Sequence, residues 1–232
     1  MANFHPSDNH LVEYVAGTLD WGLSIMVSAH LSTCAECRHK VRNLNCVGGA
    51  MISSSPSSPV DDQSFAKVME RIRAGSTTAK KQPAPLEQDT FTPNNTLPEG
   101  KMVEGIPPVI QKLLPQNKGL TWKRVSSSLY ESQLQTGQSK YKICFHKIKR
   151  GGKVVEHDHR GIEITLVLKG SFSDEKATYI PGDFLIRQPG EVHRPIATQN
   201  KDCLCISLTD APVKITGLLG RFINPFLSFQ TA

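Results

Sequence analysis

Two groups of side chains in this sequence have the types and spacing to hold a metal ion. The first is His5, followed by His30-Leu-Ser-Thr-Cys34-Ala-Glu-Cys37. A Cys-x-x-Cys pair at a helix start can turn both sulfurs toward one ion, and the amide dipoles there favour thiolate. His30 lies on the segment that runs into this turn, whereas His5 must arrive from the chain end. Two imidazoles and two thiolates select tetrahedral zinc, and a closed four-ligand site serves structure rather than catalysis. A Cys-x-x-Cys alone also fits a redox pair or two buried thiols, but the strand-then-helix context of a redox fold is missing. His10 and His39 lack any such context and read as surface residues, and Cys46 as a packed one.

The second group is His157-Asp-His159-Arg-Gly-Ile-Glu163, joined later by His193. On a strand alternate side chains share a face, so His157 and His159 point the same way. Glu163 is expected across the following turn on the neighbouring strand, and His193 from a later hairpin. Three imidazoles and a carboxylate can bind Zn²⁺, Mn²⁺, Fe²⁺ or Ni²⁺. Such a set can also leave coordination positions open, as catalytic metal sites do. Tyr179, Arg187 and Glu191 are then the candidate acid–base groups. Cys203-Leu-Cys205 puts two sulfurs on one strand face, which fits either a redox sensor or two small buried side chains.

The elements that must position these groups differ in period. Ser7 or Asp8 can cap a first helix with Leu11, Val12 and Val15 on one face, stopped by Gly17. Asp20 opens a second, where Leu23, Met26, Val27 and His30 share a face, and the Cys34 turn starts a third that runs to Gly48-Gly49. A Ser/Pro run over 53–59 cannot build a core. Beyond it Phe65, Val68, Met69 and Ile72 form a helical stripe within 61–74. The Pro-, Thr- and Gln-rich stretch over 75–100 reads as linker. After residue 101 the apolar segments become short and regular (141–148, 162–168, 183–186, 203–208), punctuated by Gly and Pro-Gly turns. That rhythm predicts an all-β sandwich or barrel.

Charge removes one function class. Residues 1–100 hold 8 Lys/Arg against 10 Asp/Glu, and residues 101–232 hold 19 against 11. The Cys/His module is therefore mildly acidic, unlike a finger that grips phosphates, and no direct contact with nucleic acid is expected. No apolar run reaches a membrane span, and no export signal opens the chain, so a cytoplasmic protein with reduced thiols is expected.

The phrases Ala16-Gly17-Thr18-Leu19 and Ala29-His30-Leu31-Ser32-x-Cys34-x-x-Cys37, with His5 upstream, resemble the zinc-binding domain of ChrR-type anti-sigma factors. Gly151-x₅-His157-x-His159-x₃-Glu163-x₆-Gly170 and Gly182-x₆-Pro189-x₃-His193 are similar to the two-part cupin motif. In the second part Pro189 stands one position late and Ala197 replaces the usual Asn. The resemblance implies a multi-domain α + β chain. Residues 1–85 would form the helical anti-sigma domain, 86–100 a linker and 101–232 a jelly-roll-like cupin barrel. It also implies zinc at both sites, with identity less certain in the barrel, and one-to-one capture of an extracytoplasmic-function sigma factor. The stripe Phe65, Val68, Met69 and Ile72 would help in that capture, and release would follow an oxidative signal such as singlet oxygen. The alternative is a metal-dependent cupin enzyme, a dioxygenase or isomerase.

Overall fold

Local capping fixes the first helix, α1 (Asp8–Ala16). The Ser7 side chain accepts the His10 N–H, and Gly17 closes the helix in the left-handed region at φ 70°. A computed structural model of the chain describes residues 2–57, 59, 61–76, 105–114, 119–137 and 139–216. The 86–100 linker and the chain after 216 lie outside the described residues. Two helices follow α1: α2 (Trp21–Leu31) and α3 (Ala35–Ser54). Three departures from expectation appear here. Leu11 alone is buried in α1, with Val12 exposed. The third helix does not stop at Gly48-Gly49 but continues to Ser54; neither glycine meets a neighbour there that a side chain would clash with. Cys46, expected to be packed, is exposed on that helix.

The described residues form two compact units, Met1–Cys46 with Gly100–Ala232, and Val47–Glu99. The second unit carries α4 (Asp62–Ser76). The Asp61 carboxylate caps it by accepting the Ser64 N–H at 2.7 Å, and none of the described side chains of α4 is buried.

In the first unit a short helix, α5 (Pro108–Gln111), precedes twelve strands. Six form one antiparallel sheet in the order β1 (Lys123–Arg124), β2 (Leu129–Leu134), β3 (Lys142–Ile148), β11 (Cys203–Thr209), β5 (Glu163–Lys169), β8 (Phe184–Arg187). A three-stranded sheet pairs β12 (Val213–Ile215), β4 (His157–His159) and β9 (Val192–His193). Another pairs β10 (Ile196–Ala197), β6 (Phe172–Ser173) and β7 (Thr178–Tyr179).

The strands β5, β8 and β11 of the large sheet are buried on both faces, which is why they read as almost unbroken apolar runs. Ile143, Phe145, Ile164, Leu166, Phe184, Ile206 and Leu208 belong to one core with Leu11, Ile25, Met26 and Ala29 from the helices. Ile148, Val167, Leu185 and Cys203 belong to a second core with Phe172 and Tyr179. The helix α2 thus packs on the barrel as well as on α1. Gly22 makes this possible, because a side chain there would stand 2.8 Å from both Leu208 and Tyr141. Asp20, just before α2, accepts the Tyr141 hydroxyl at 2.9 Å and pairs with Lys140.

Candidate metal centres

The helical turn after α2 assembles the first centre. His5, His30, Cys34 and Cys37 offer ligand atoms that all lie within 4.8 Å of one another. The His5 Nδ1 stands 3.4 Å from each sulfur. The Cys37 N–H donates to the Cys34 sulfur at 3.4 Å, as expected where a helix start faces a thiolate. His30 is wholly buried. Its Nδ1–H can donate to the Gly182 carbonyl at 2.8 Å, which leaves Nε2 as an acceptor with no hydrogen-bond partner among the described residues. A buried polar atom without a partner is costly, and a cation between it and the sulfurs would remove the cost. Burial and then the adjacent Cys34 sulfur push the Cys37 thiol up to about 12. A second thiolate therefore needs a positive charge beside it. Burial also lowers the His30 pKa, which keeps that imidazole neutral and able to ligate. These properties fit zinc.

The second centre lies where two sheets face each other. His157 and His193 sit directly opposite in the β4–β9 pair, with their Nε2 atoms 3.0 Å apart. His159 Nε2 lies 3.4 Å from the Glu163 carboxylate, and His193 Nε2 lies 3.9 Å from it. The expectation that Glu163 sits on the strand neighbouring β4 is corrected here. It opens β5, in the large sheet, and pairs across to Arg187 on β8. The turn after His159 crosses between sheets rather than forming a hairpin, so the four donors come from opposite walls.

Tautomers in this centre are set from behind. His157 Nδ1 faces the Val155 carbonyl at 2.8 Å and His193 Nδ1 the Asp174 carboxylate at 3.4 Å, which turns both Nε2 lone pairs inward. Burial, followed by the neighbouring imidazoles, lowers His159 to about 3 and His193 to about 4. Burial pushes Glu163 up to about 7 against the opposing charge of Arg187. A carboxyl held this high gains most from a cation. The donor set fits a divalent metal without choosing among zinc and its neighbours.

Three residues read from sequence as acid–base candidates prove to be tied together. Arg187 pairs with Asp174, donates to the Tyr179 hydroxyl at 2.8 Å and lies 3.5 Å from Glu191. Asp174 was missed, since a lone Asp in a Ser-Asp-Glu turn carries no spacing signal. Cys203 and Cys205 are both buried. A hydrogen bond with Cys203 that favours the protonated form, and then burial, raise the Cys205 thiol, so this sulfur lacks the thiolate character a redox sensor needs. Phe65, Val68 and Ile72 are exposed along α4, and Met69 is half-buried. His39 is exposed and His10 half-buried.

Among the described residues no helix is long and apolar enough to cross a membrane. A putative zinc-finger family model matches residues 8–38, and the ChrR cupin-like domain model matches residues 111–211. The crystal structure of Rhodobacter sphaeroides SigE in complex with the anti-sigma ChrR aligns with a TM-score of 0.68 at 28% identity. It covers 90% of this chain and 100% of that one. An RmlC-like cupin protein from Ralstonia eutropha aligns more distantly, with a TM-score of 0.39 at 14% identity, over 44% of this chain and 70% of its own. The anti-sigma-E factor ChrR of Cereibacter sphaeroides is 30% identical over 223 residues, 96% of either chain. A relative this similar over nearly the whole length places the chain in the ChrR family of anti-sigma factors.

Proposed function

We propose that this chain sequesters an extracytoplasmic-function sigma factor one-to-one through residues 1–85, and that the cupin barrel governs its release. The observation that carries the reading is the similarity to ChrR along the whole chain, together with a solved relative bound to SigE. His5, His30, Cys34 and Cys37 hold a structural zinc, supported most directly by the unpartnered Nε2 of His30 beside two sulfurs. His157, His159, Glu163 and His193 hold a second divalent ion, with zinc first among the choices. Zinc at the first site supplies folding energy by tying the chain end to the α2–α3 turn. The Phe65–Ile72 stripe, exposed along α4, then offers an apolar face to the sigma factor.

Release follows an oxidative signal of the singlet-oxygen type. The support is chemical, since oxidative damage to metal ligands such as His157, His159 or Cys34 would cost a centre its ion. A signal shifts the bound–free equilibrium only if it acts differently on the two states, and losing a metal that shapes the binding surface does so. The cupin-enzyme reading has less support, because the candidate acid–base residues Tyr179 and Arg187 are engaged with Asp174.

Co-expression of the full chain with such a sigma factor is expected to give a one-to-one complex on pull-down. His30→Ala and Cys34→Ala should each lose one equivalent of zinc and the capture. Phe65→Asp with Val68→Asp should keep the zinc and weaken capture by at least tenfold, the scale of a lost interface anchor. Full-strength capture by a variant without its N-terminal zinc rejects the reading.

A further inference from the structure

We propose that the Gly182–Asp183 turn of the barrel is the outer shell of the N-terminal His/Cys centre and sets how firmly that centre holds its metal. This rests on the reading that His5, His30, Cys34 and Cys37 bind zinc. Both sulfurs are held by the helical turn itself, whereas the His30 ring and the chain end that carries His5 are held by the barrel; the His5 ring itself faces the Glu36 carboxylate of α3 at 3.5 Å. The Gly182 carbonyl faces His30 Nδ1 at 2.8 Å, across 152 positions of sequence. Gly182 can present that carbonyl because it adopts φ 95°, a conformation other residues rarely take.

His5 is delivered by a clamp on the chain end. One oxygen of the Asp183 carboxylate accepts the Asn3 N–H at 2.5 Å and the Phe4 N–H at 3.2 Å. Its other oxygen accepts the Ile180 N–H at 2.8 Å. The Phe184 N–H then donates to the Phe4 carbonyl at 3.0 Å, and the Phe4 ring lies 5.0 Å from that of Tyr179. Asp183 is fully buried, yet two of these three N–H donors come from outside the barrel. If the chain end departs, that buried oxygen loses both. The clamp and the metal therefore support each other: an ion on His5 and His30 holds the chain end on the turn, and the turn aims the His30 ring and anchors the backbone that delivers His5. Linkage of this kind is reciprocal. Loss of such outer-shell partners typically weakens a metal site about 10- to 100-fold.

The test uses the full chain with cobalt in both centres. Only the sulfur-ligated site can give a thiolate-to-cobalt charge-transfer band, so its metal is followed separately from the barrel's. Asp183→Ala is expected to speed chelator-driven loss of that band by about 10- to 100-fold. Asp183→Asn should give a smaller increase, because its amide oxygen can still accept the Asn3 and Phe4 N–H groups. Loss of barrel cobalt should stay within about twofold of the parent chain, well under the outer-shell effect. Asn3→Pro removes one clamp donor without touching the barrel, so it decides the matter should Asp183→Ala fail to fold; it too should speed loss of the band. Unchanged kinetics in folded Asp183→Ala and in Asn3→Pro overturn the proposal, as does equal acceleration at both centres. Absence of the band in the parent chain instead removes the zinc assignment itself.

Discussion

Cys37 and Glu163 show how the two centres answer pH differently. Without metal the Cys37 thiol holds its proton up to about 12, so binding at neutral pH must release it. Affinity at the N-terminal site should fall by at least about tenfold per unit as pH drops from 9 to 7, because each sulfur that ligates as thiolate must give up its proton. In the barrel His159 and His193 stay neutral down to about 3 and 4. Glu163 takes a proton only below about 7. Barrel affinity should therefore be flat from pH 9 to 7 and decline only below. Competitive chelator titrations at three pH values, reading the sulfur-ligated and barrel sites separately, check this. Parallel slopes at the two sites would contradict it.

At the scale of the element, α2 carries most of the integration. Its composition is apolar nearly all round, which marks a helix covered on more than one side. One side meets α1, where the Tyr14 and Ser28 hydroxyls bond at 2.7 Å. Another meets the large sheet through Gly22. Gly22→Val is expected to push against Leu208 and the Tyr141 ring and cost about 1–3 kcal/mol, the usual range for overpacking. For a chain of this size that corresponds to a fall in melting temperature of about 2–4 °C per kcal/mol. A calorimetric midpoint unchanged within a degree would show that the helix does not seat on the sheet. The contrast with α4 is informative: it has the stronger apolar stripe, yet none of its described side chains is buried.

For the whole molecule, the helical residues before 47 share a core with the barrel. With zinc in excess, so that the site deprived of Gly182 and Asp183 stays loaded, deleting residues 101–232 should leave sigma capture intact and abolish release by photosensitised singlet oxygen, measured as complex remaining after illumination. Loss of capture would refute that division of labour. The same deletion uncovers Gly22, Ala29 and their neighbours, so the fragment should self-associate at concentrations where the full chain stays monodisperse by light scattering.

The donor sets were legible because coordination chemistry restricts residue type and spacing. His30-x₃-Cys34-x₂-Cys37 places three ligands around one helical turn, and His157-x-His159 places two on one strand with Glu163 close behind in sequence. Capping by Ser7 and Gly17, the α4 stripe and the rhythm of the barrel strands are equally local, so the sequence by itself determined them. Other features depend on residues far apart in the chain. No local pattern announces that Asp183 grips Asn3, that Gly182 orients His30, or that Asp174 holds His193. Nor does one announce that Glu163 faces its histidines from the opposite sheet. The apolar runs of β5 and β11 marked strands of a sandwich or barrel, but periodicity cannot say what covers the sheet's second face. Only the tertiary structure decided that it is α2, because contacts across about 150 residues are set by packing and not by local propensity.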